Sequence, residues 1–379
     1  VALVDALDRV GARQLVAEVN SPSVDAALKD GYAVISAEVA TATAGRPVRL
    51  ALRGVAAAGD HPSRERLAPG TTVRVLTGAA LPDGADAVVA GEFAGVDGHE
   101  VVFTHFAEPG RNVLVRGSDV ARGAVVVGAG CPLGPGRIGL LAAAGHHGLV
   151  VFRRPTVGIL ATGDEVVAPG EPLPEGKLYA SNMAALGAWC RRFHWPTHLR
   201  IVRDDPDALL EALQSMVEQA DVVLTSGGAW TGDRDLVIRT LERLGWRQVF
   251  HRIRMGPGKA VGFGVLAGKP IFVLPGGPPS NWMAFLQIAL PGLRKLAGWS
   301  RPDLPMAAAR LAQTVRGRDP SWTQFITGVV GCHGGDPLFE PLRHLSRLHS
   351  MAEANAILAL PEGRAQIAAG EWVTVQLLA

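Results

Sequence analysis

Residues 225–235 read Thr-Ser-Gly-Gly-Ala-Trp-Thr-Gly-Asp-Arg-Asp and directly follow the apolar run Asp221-Val-Val-Leu224. A buried strand ends there. Ser226, Gly227 and Gly228 then leave backbone N–H groups open to a ligand, and two carboxylates follow at Asp233 and Asp235. In open α/β sheets the crevice beyond the strand ends is the usual ligand site. Glycine N–H groups can cradle phosphate, and paired acids can hold a hydrated hard cation. The competing reading is a tight turn with solvated acids, and this segment alone does not separate the two.

Four other clusters carry similar chemistry. Lys29-Asp30-Gly-Tyr places an acid beside a glycine at a strand entry. Leu76-Thr77-Gly-Ala-Ala leads into Pro82-Asp-Gly-Ala-Asp86. Ala161-Thr162-Gly163-Asp-Glu165 again follows a strand. Gly256-Pro-Gly-Lys259 precedes Leu274-Pro275-Gly276-Gly-Pro278-Pro-Ser280. Each alone reads equally well as turn chemistry. Together they put Gly, Thr, Asp and Glu after at least three strands of one sheet, and turns alone do not require acids repeatedly at those ends.

The elements that must position these residues follow from periodicity. Apolar spacing at Leu3, Val4, Leu7 and Val10 predicts one helix over residues 1–19. From about 20 to 120, β-rich runs such as 48–52, 72–76, 87–90 and 101–103 alternate with Gly/Asp/Pro turns, which reads as a small β domain. A helix is expected over 136–145. From 155 to 300 strands and helices alternate: strand 156–161, helix 181–193, a helix opened by Asp205 as N-cap and Pro206 at the first helical position, and strand 221–225. A helix over 233–244, strands 261–266 and 270–274 and a helix over 279–297 complete it. This pattern predicts a mostly parallel sheet with helices on both faces. Pro302 and Pro305 mark a linker to a further β domain.

Composition excludes several classes. The 379 residues are 48% hydrophobic and 19% charged, enough for sizeable cores. A net charge of +2 argues against a dedicated nucleic-acid binder. Cys131, Cys190 and Cys332 form no Cys-x-x-Cys pair, which suits a reducing cytoplasm and predicts no zinc knuckle. No apolar run reaches the roughly 18 residues of a membrane span. Residues 1–8 carry acids and no basic leader, so no signal peptide is expected. Gly134-Pro-Gly-Arg-Ile-Gly139 matches a dinucleotide fingerprint only formally, because a proline intervenes and no acid follows at the required spacing.

Laid end to end, the motifs resemble the molybdopterin molybdenumtransferase family, the bacterial MoeA proteins and the gephyrin E domain, with this chain a divergent member. The resemblance runs through Asp30-Gly-Tyr-Ala33, Thr77-Gly-Ala79, residues 84–89, Arg116-Gly-Ser-Asp119 and Arg154-Pro155. It continues in Thr162-Gly-Asp-Glu165, Ser181-Asn182, Asp204-Asp205, Ser226-Gly-Gly228 and Gly232-Asp-Arg-Asp235. Pro257-Gly-Lys259, Leu274-Pro-Gly276, Pro278, Ser280, Ser350-Met351 and Ala354-Asn355 complete it. The pieces are weak singly; their joint order is specific.

The resemblance implies a fold and an activity. The fold is a doubly wound, mostly parallel MogA-like sheet domain (151–300), with an inserted β domain (23–119), a discontinuous helical linker domain (1–22 and 120–150) and a C-terminal β-barrel (301–379). The implied activity is Mg²⁺-dependent insertion of molybdate into adenylylated molybdopterin with release of AMP. The implied protein is a cytoplasmic homodimer with composite sites. It could meet other proteins of molybdenum cofactor synthesis, but neither nucleic acid nor membrane.

By the same resemblance, Asp30, Thr77, Asp119, Glu165, Asp204, Asp235 and Lys259 are the candidate catalytic residues. Glu165, Asp204, Asp233 and Asp235 are the candidate Mg²⁺ ligands. Thr162, Gly163, Ser226, Gly227, Gly228, Trp230, Asp233, Arg252, Pro275, Gly276 and Pro278 are the candidate substrate-binding residues. Asp30 and Thr77 would reach the cleft from the partner subunit.

The departures from the family pattern are specific. Lys29 replaces a Met, with Ala26 and Ala27 upstream where small polar residues are usual. Trp230 replaces a small Ser. Gly256 replaces a Lys and Ala260 a Pro. Gly277 replaces an Asn. Arg252 and Arg254 are candidates to restore the lost positive charge, and Trp230 is a candidate to stack on a pterin or adenine ring. These changes define the alternative: a catalytically altered or inactive paralogue that binds or delivers a pterin cofactor.

Overall fold

A computed structural model describes residues 1–60, 66–227, 236–343 and 345–378. The chain divides into two compact units, Val1–Val151 and Phe152–Ala379.

In the first unit a six-stranded sheet runs through Gly31–Val34, Val48–Ala56, Thr71–Val75, Ala87–Ala90, Ala94–Asp97 and Glu100–Phe103. Its core is Tyr32, Val34, Leu50, Val89, Val101 and Phe103, which stand on alternate positions of these short strands. Residues 1–19 do not form the expected helix. Only Val4–Ala6 make a 3₁₀ turn, and Leu15–Val16 pair antiparallel with Val125–Val127. Val10 and Gly11 instead bridge to Pro132 and Val151. Asp8 sits at φ +57°, which no helix interior tolerates, and Val4 and Leu7 face solvent. The segment 134–139 is the start of helix Pro135–Ala143.

The second unit is built on a six-stranded sheet. Its strands are β1 (Val157–Thr162), β2 (Thr197–Val202), β3 (Val222–Ser226), β4 (Arg247–His251), β5 (Gly262–Leu266) and β6 (Lys269–Leu274), in the order β2-β1-β3-β6-β5-β4. β2, β1, β3 and β6 are parallel, and β5 and β4 are antiparallel additions. Helices α1 (Ser181–Arg192), α2 (Pro206–Gln219) and α3 (Leu236–Arg243) provide cover. So does a long helical stretch made of α4 (Pro278–Ala284), a π-helical segment (Phe285–Ala289) and α5 (Leu290–Leu296). Two cores result, one on each face. β1 and β3 are buried at every position, as expected of parallel strands covered on both sides. The Asp205 carboxylate accepts from Ala208 N at 2.8 Å, so the Asp-Pro pair does open α2. The π-helical widening comes just before Pro291, whose ring and missing N–H a regular α-helix would not accommodate.

The last 75 residues form a closed five-stranded barrel of Met306–Leu311, Thr323–His333, Asp336–Pro341, Ala356–Leu360 and Trp372–Leu377. Closure leaves no free edge in this small β unit. The barrel is joined to the sheet unit by a short parallel pairing of Met255–Gly256 with Thr323–Gln324. A further tie is Arg294 of α5, buried against the rings of Phe193 and Trp299. It donates to the carbonyls of Pro302 (3.1 Å) and Asp303 (2.8 Å) in the linker. Burial draws the Arg294 guanidinium down to about 10.

Candidate active site

The chain enters β1, crosses to β2 on one side, and returns to β3 on the other. Beyond the C-terminal ends of β1 and β3 the flanking connections diverge and leave a crevice, the switch point at which doubly wound sheets take ligands. Thr162 ends β1 and Ser226 ends β3, both buried. Gly227 follows at φ +106°, and a Cβ there would lie 2.7 Å from the Thr162 carbonyl. Only glycine lets the two strand ends approach this closely. Gly163 stands at φ +141°, a backbone conformation that favours glycine, and the Glu165 carboxylate folds back over it.

Two asparagines lock the loops. Asn182 on α1 donates to Ser226 Oγ (3.1 Å) and to the Gly276 carbonyl (2.7 Å). Asn281 on α4, 2% exposed, donates to the same Ser226 Oγ (3.1 Å) and to the Pro275 carbonyl (2.9 Å). One hydroxyl and two amides thereby tie the end of β3 to the loop that follows β6. Buried polar groups satisfied in this way fix a single arrangement.

The crevice is a cavity of about 570 Å³. Thr162, Gly163 and Gly227 line it from the strand ends. Glu165 and Asp204 bring carboxylates, and residues 256–260 bring Lys259. Residues 275–277 line it from the β6–α4 connection, Ser280 from α4, Leu236 and Val237 from α3, and Trp322 from the barrel. Partial burial is the main cause that raises the Asp204 carboxyl above its ordinary value. The neighbouring charges of Asp164 and Glu165 add to it, while a hydrogen bond from the Asp164 backbone N–H opposes it. Lys259 Nζ lies 5.3 Å from the centre of the Trp322 ring. The cavity therefore joins an acidic, cation-seeking corner to an ammonium group, glycine backbone and one aromatic wall. That chemistry suits a phosphorylated, heterocyclic ligand handled with a hard cation.

Of the residues singled out from sequence, the fold brings Thr162, Gly163, Glu165, Asp204, Gly227, Lys259, Pro275 and Gly276 into this one cavity. Ser226 lies beneath it as the anchor of both asparagines, and Pro278 is the first residue of α4. Arg252 stands at φ +67° and does not line the cavity. Arg254 does not line it either: its guanidinium pairs with Glu362 of the barrel at 3.1 Å, so it is not the replacement charge that the sequence invited. Gly228, Trp230, Asp233 and Asp235 lie outside the described residues. Among the described residues, no group of three or more His, Cys, Asp or Glu is arranged to hold a metal ion.

Asp30, Thr77 and Asp119 belong to the first unit. There Asp30 Oδ1 accepts from both the backbone N–H and the hydroxyl of Thr77, each at 2.7 Å. The hydroxyl first, then the backbone N–H, hold the Asp30 carboxyl below its usual range. Asp119 is held by its backbone N–H to the Ser21 carbonyl at 3.0 Å.

Sequence reasoning missed two participants. Asn281 sits one residue past the Leu-Pro-Gly-Gly-Pro-Pro-Ser run, and its place on the first turn of α4 was the available signal. Trp322 had none, since nothing in Asp319-Pro-Ser-Trp322 marks a cavity wall.

Comparison with known proteins agrees over the whole chain. Family models match residues 1–145 (MoeA N-terminal region, domain I and II), 158–295 (probable molybdopterin binding domain) and 309–378 (MoeA C-terminal region, domain IV). The chain is 31% identical to the molybdopterin molybdenumtransferase of Haemophilus influenzae, covering 99% of this chain and 92% of the relative. It is 33% identical to molybdopterin molybdenumtransferase 2 of Mycobacterium tuberculosis, covering 95% and 90%. Among solved structures, a molybdopterin biosynthesis MoeA protein from Pyrococcus horikoshii matches at 32% identity and a TM-score of 0.79, covering 100% of this chain and 94% of that one.

Proposed function

Because the chain belongs to the molybdopterin molybdenumtransferase family, we propose that it is a transferase of molybdenum cofactor synthesis that joins molybdate to adenylylated molybdopterin and releases AMP. The observation that carries this reading is the cavity at the β1/β3 switch point, where Glu165 and Asp204 share one wall-lined space with Lys259.

The roles follow from the side chains. Glycine N–H groups beyond β1 and β3 and the Lys259 ammonium meet the pyrophosphate oxygens. Asn182 and Asn281 hold the loops after β3 and β6 at fixed separation, so this part of the binding geometry exists before substrate arrives. Glu165 and Asp204 offer hard oxygen donors, and the desolvation and acidic neighbours that push the Asp204 carboxyl up disfavour its charge, a cost that a divalent cation would relieve. Magnesium fits this corner on that ground, with Asp233 and Asp235 as the further candidate ligands. When bound, it would stabilise the charge that develops on the departing AMP phosphate. The cytoplasmic homodimer, the placing of Asp30 and Thr77 by the partner subunit, and the four-part domain division are carried as parts of the same proposal.

The test supplies the purified protein with adenylylated molybdopterin, molybdate and Mg²⁺ and measures AMP release and active cofactor. Absence of turnover where a standard relative works would overturn the reading. Tight binding without AMP release would assign the carrier role instead. Omitting Mg²⁺ should abolish AMP release if the acidic corner acts as proposed.

A further inference from the structure

Trp322 reaches the cavity from another fold element, and its position is over-determined. The turn that carries it is held by Asp319, whose carboxylate accepts from Ser321 N (2.9 Å) and Ser321 Oγ (2.7 Å). Gln324 donates to the Asp319 carbonyl (2.8 Å) and accepts from Arg318 N (2.7 Å), and the Pro320 carbonyl accepts from Gly363 N (2.7 Å). Immediately after Trp322 the strand pairs with the cavity loop, Thr323 donating to the Arg254 carbonyl at 3.2 Å. The indole edge abuts Gly256: a Cβ at that position would lie 4.0 Å from Trp322 Cε3. The backbone on both sides of Trp322 is thereby fixed, and with it the point from which the indole enters the cavity.

Trp322 is also the only aromatic among the described lining residues, and the Lys259 ammonium stands over its ring. A fused nitrogen heterocycle that carries a phosphate would draw the ammonium off the indole face to its phosphate and stack in its place. The ring stacks, and the phosphate meets the ammonium.

We propose that Trp322 is a specificity-determining residue, the platform on which a fused nitrogen heterocycle of the substrate stacks while Lys259 receives the attached phosphate. This rests on the transferase reading and extends it, because it makes the C-terminal barrel part of substrate recognition. The heterocycle is adenine or pterin, which share this chemistry.

The experiment uses the full-length protein and calorimetric titration with three probes: AMP, molybdopterin and inorganic pyrophosphate. Trp322→Ala should weaken one of the two ring-bearing probes by about ten- to a hundredfold, and the probe affected names the ring. Trp322→Phe, which keeps a platform and guards against misfolding of the smaller variant, should stay within about threefold. Pyrophosphate should bind both variants as it binds the parent. Unchanged affinity of Trp322→Ala for both AMP and molybdopterin overturns the proposal, as does an equal loss for pyrophosphate, which would mean that Trp322 acts only by shaping Lys259. If the parent protein binds neither AMP nor molybdopterin, the transferase reading itself fails, and the proposal with it.

Discussion

At the N-terminal ends of the parallel strands, Asp221 sits just before β3 and accepts from both Arg153 Nη atoms at 2.7 Å and from Thr156 N at 2.7 Å. Lys269, at the start of β6, donates to the Val217 carbonyl at the end of α2 (2.5 Å). The Arg153 hydrogen bonds hold the Asp221 carboxyl below its ordinary value; burial opposes them, and the Thr156 N–H adds a smaller downward pull. At the opposite ends of the same strands, Asp204 stands beside Asp164 and Glu165, and desolvation, with those neighbouring charges, raises its carboxyl. One end is satisfied by its own cations and helix carbonyls. The other is left with like charges together and an ammonium across a cavity. Four parallel strands that all point one way can place stability at one end and chemistry at the other without mixing their requirements.

Removing Lys259 should break the comparison most sharply. Lys259→Met should lower turnover by at least about 10²-fold, with the melting temperature close to that of the parent, because the side chain is exposed. Next comes Asp204→Asn, expected to lower turnover by about tenfold or more without lowering stability. The sign follows from linkage. A carboxyl whose folded pKa is raised costs stability once it ionises, so the variant should melt at or above the parent at neutral pH. The difference should vanish as pH falls below the ordinary value near 3.8. A melting temperature that drops at neutral pH would contradict the repulsion.

Asn281→Ala tests the hinge between the two roles. Losing two buried hydrogen bonds should cost about 1–2 kcal/mol, read by denaturant unfolding, and should reduce kcat more than KM as the β3 and β6 loops loosen. The smallest effect is expected at the quiet end. Asp221→Asn should cost about 1 kcal/mol at neutral pH, since Arg153 is largely exposed and solvent screens the pair, with turnover unchanged. Its folded pKa is depressed, so the stability it contributes is present above about 3.8 and is lost as pH falls through the lower folded value. The parent's extra stability over the variant should disappear in that acid window.

Much of the second unit was legible because its signals are local. Asp205-Pro206 carries its cap within four residues, and β1 and β3 are unbroken apolar runs that only a doubly covered strand requires. Thr162-Gly163 and Ser226-Gly227 sit next to those strands, so finding the strands found the strand ends. Strand β4, Arg247-Gln-Val-Phe-His251, was not legible. As an edge strand exposed along much of its length it has neither alternation nor an apolar run, and only its pairing to β5 makes it a strand. Residues 1–19 misled for the converse reason: their apolar period is not one buried face, since Val10 bridges to Pro132, more than a hundred positions away, while Val4 and Leu7 face solvent.

The sequence by itself determined the kind of sheet, the glycines that open its crevice, and the acids and the lysine placed beside it. Their chemistry depends on residue type and on neighbours along the chain. Only the tertiary structure decided which cations are committed elsewhere, with Arg254 held by Glu362. It alone showed that Asn182 and Asn281 meet on one hydroxyl. It also supplied the aromatic wall, Trp322, from the barrel. These depend on contacts between segments 40 to more than 100 residues apart, and no spacing rule along a chain records such distances.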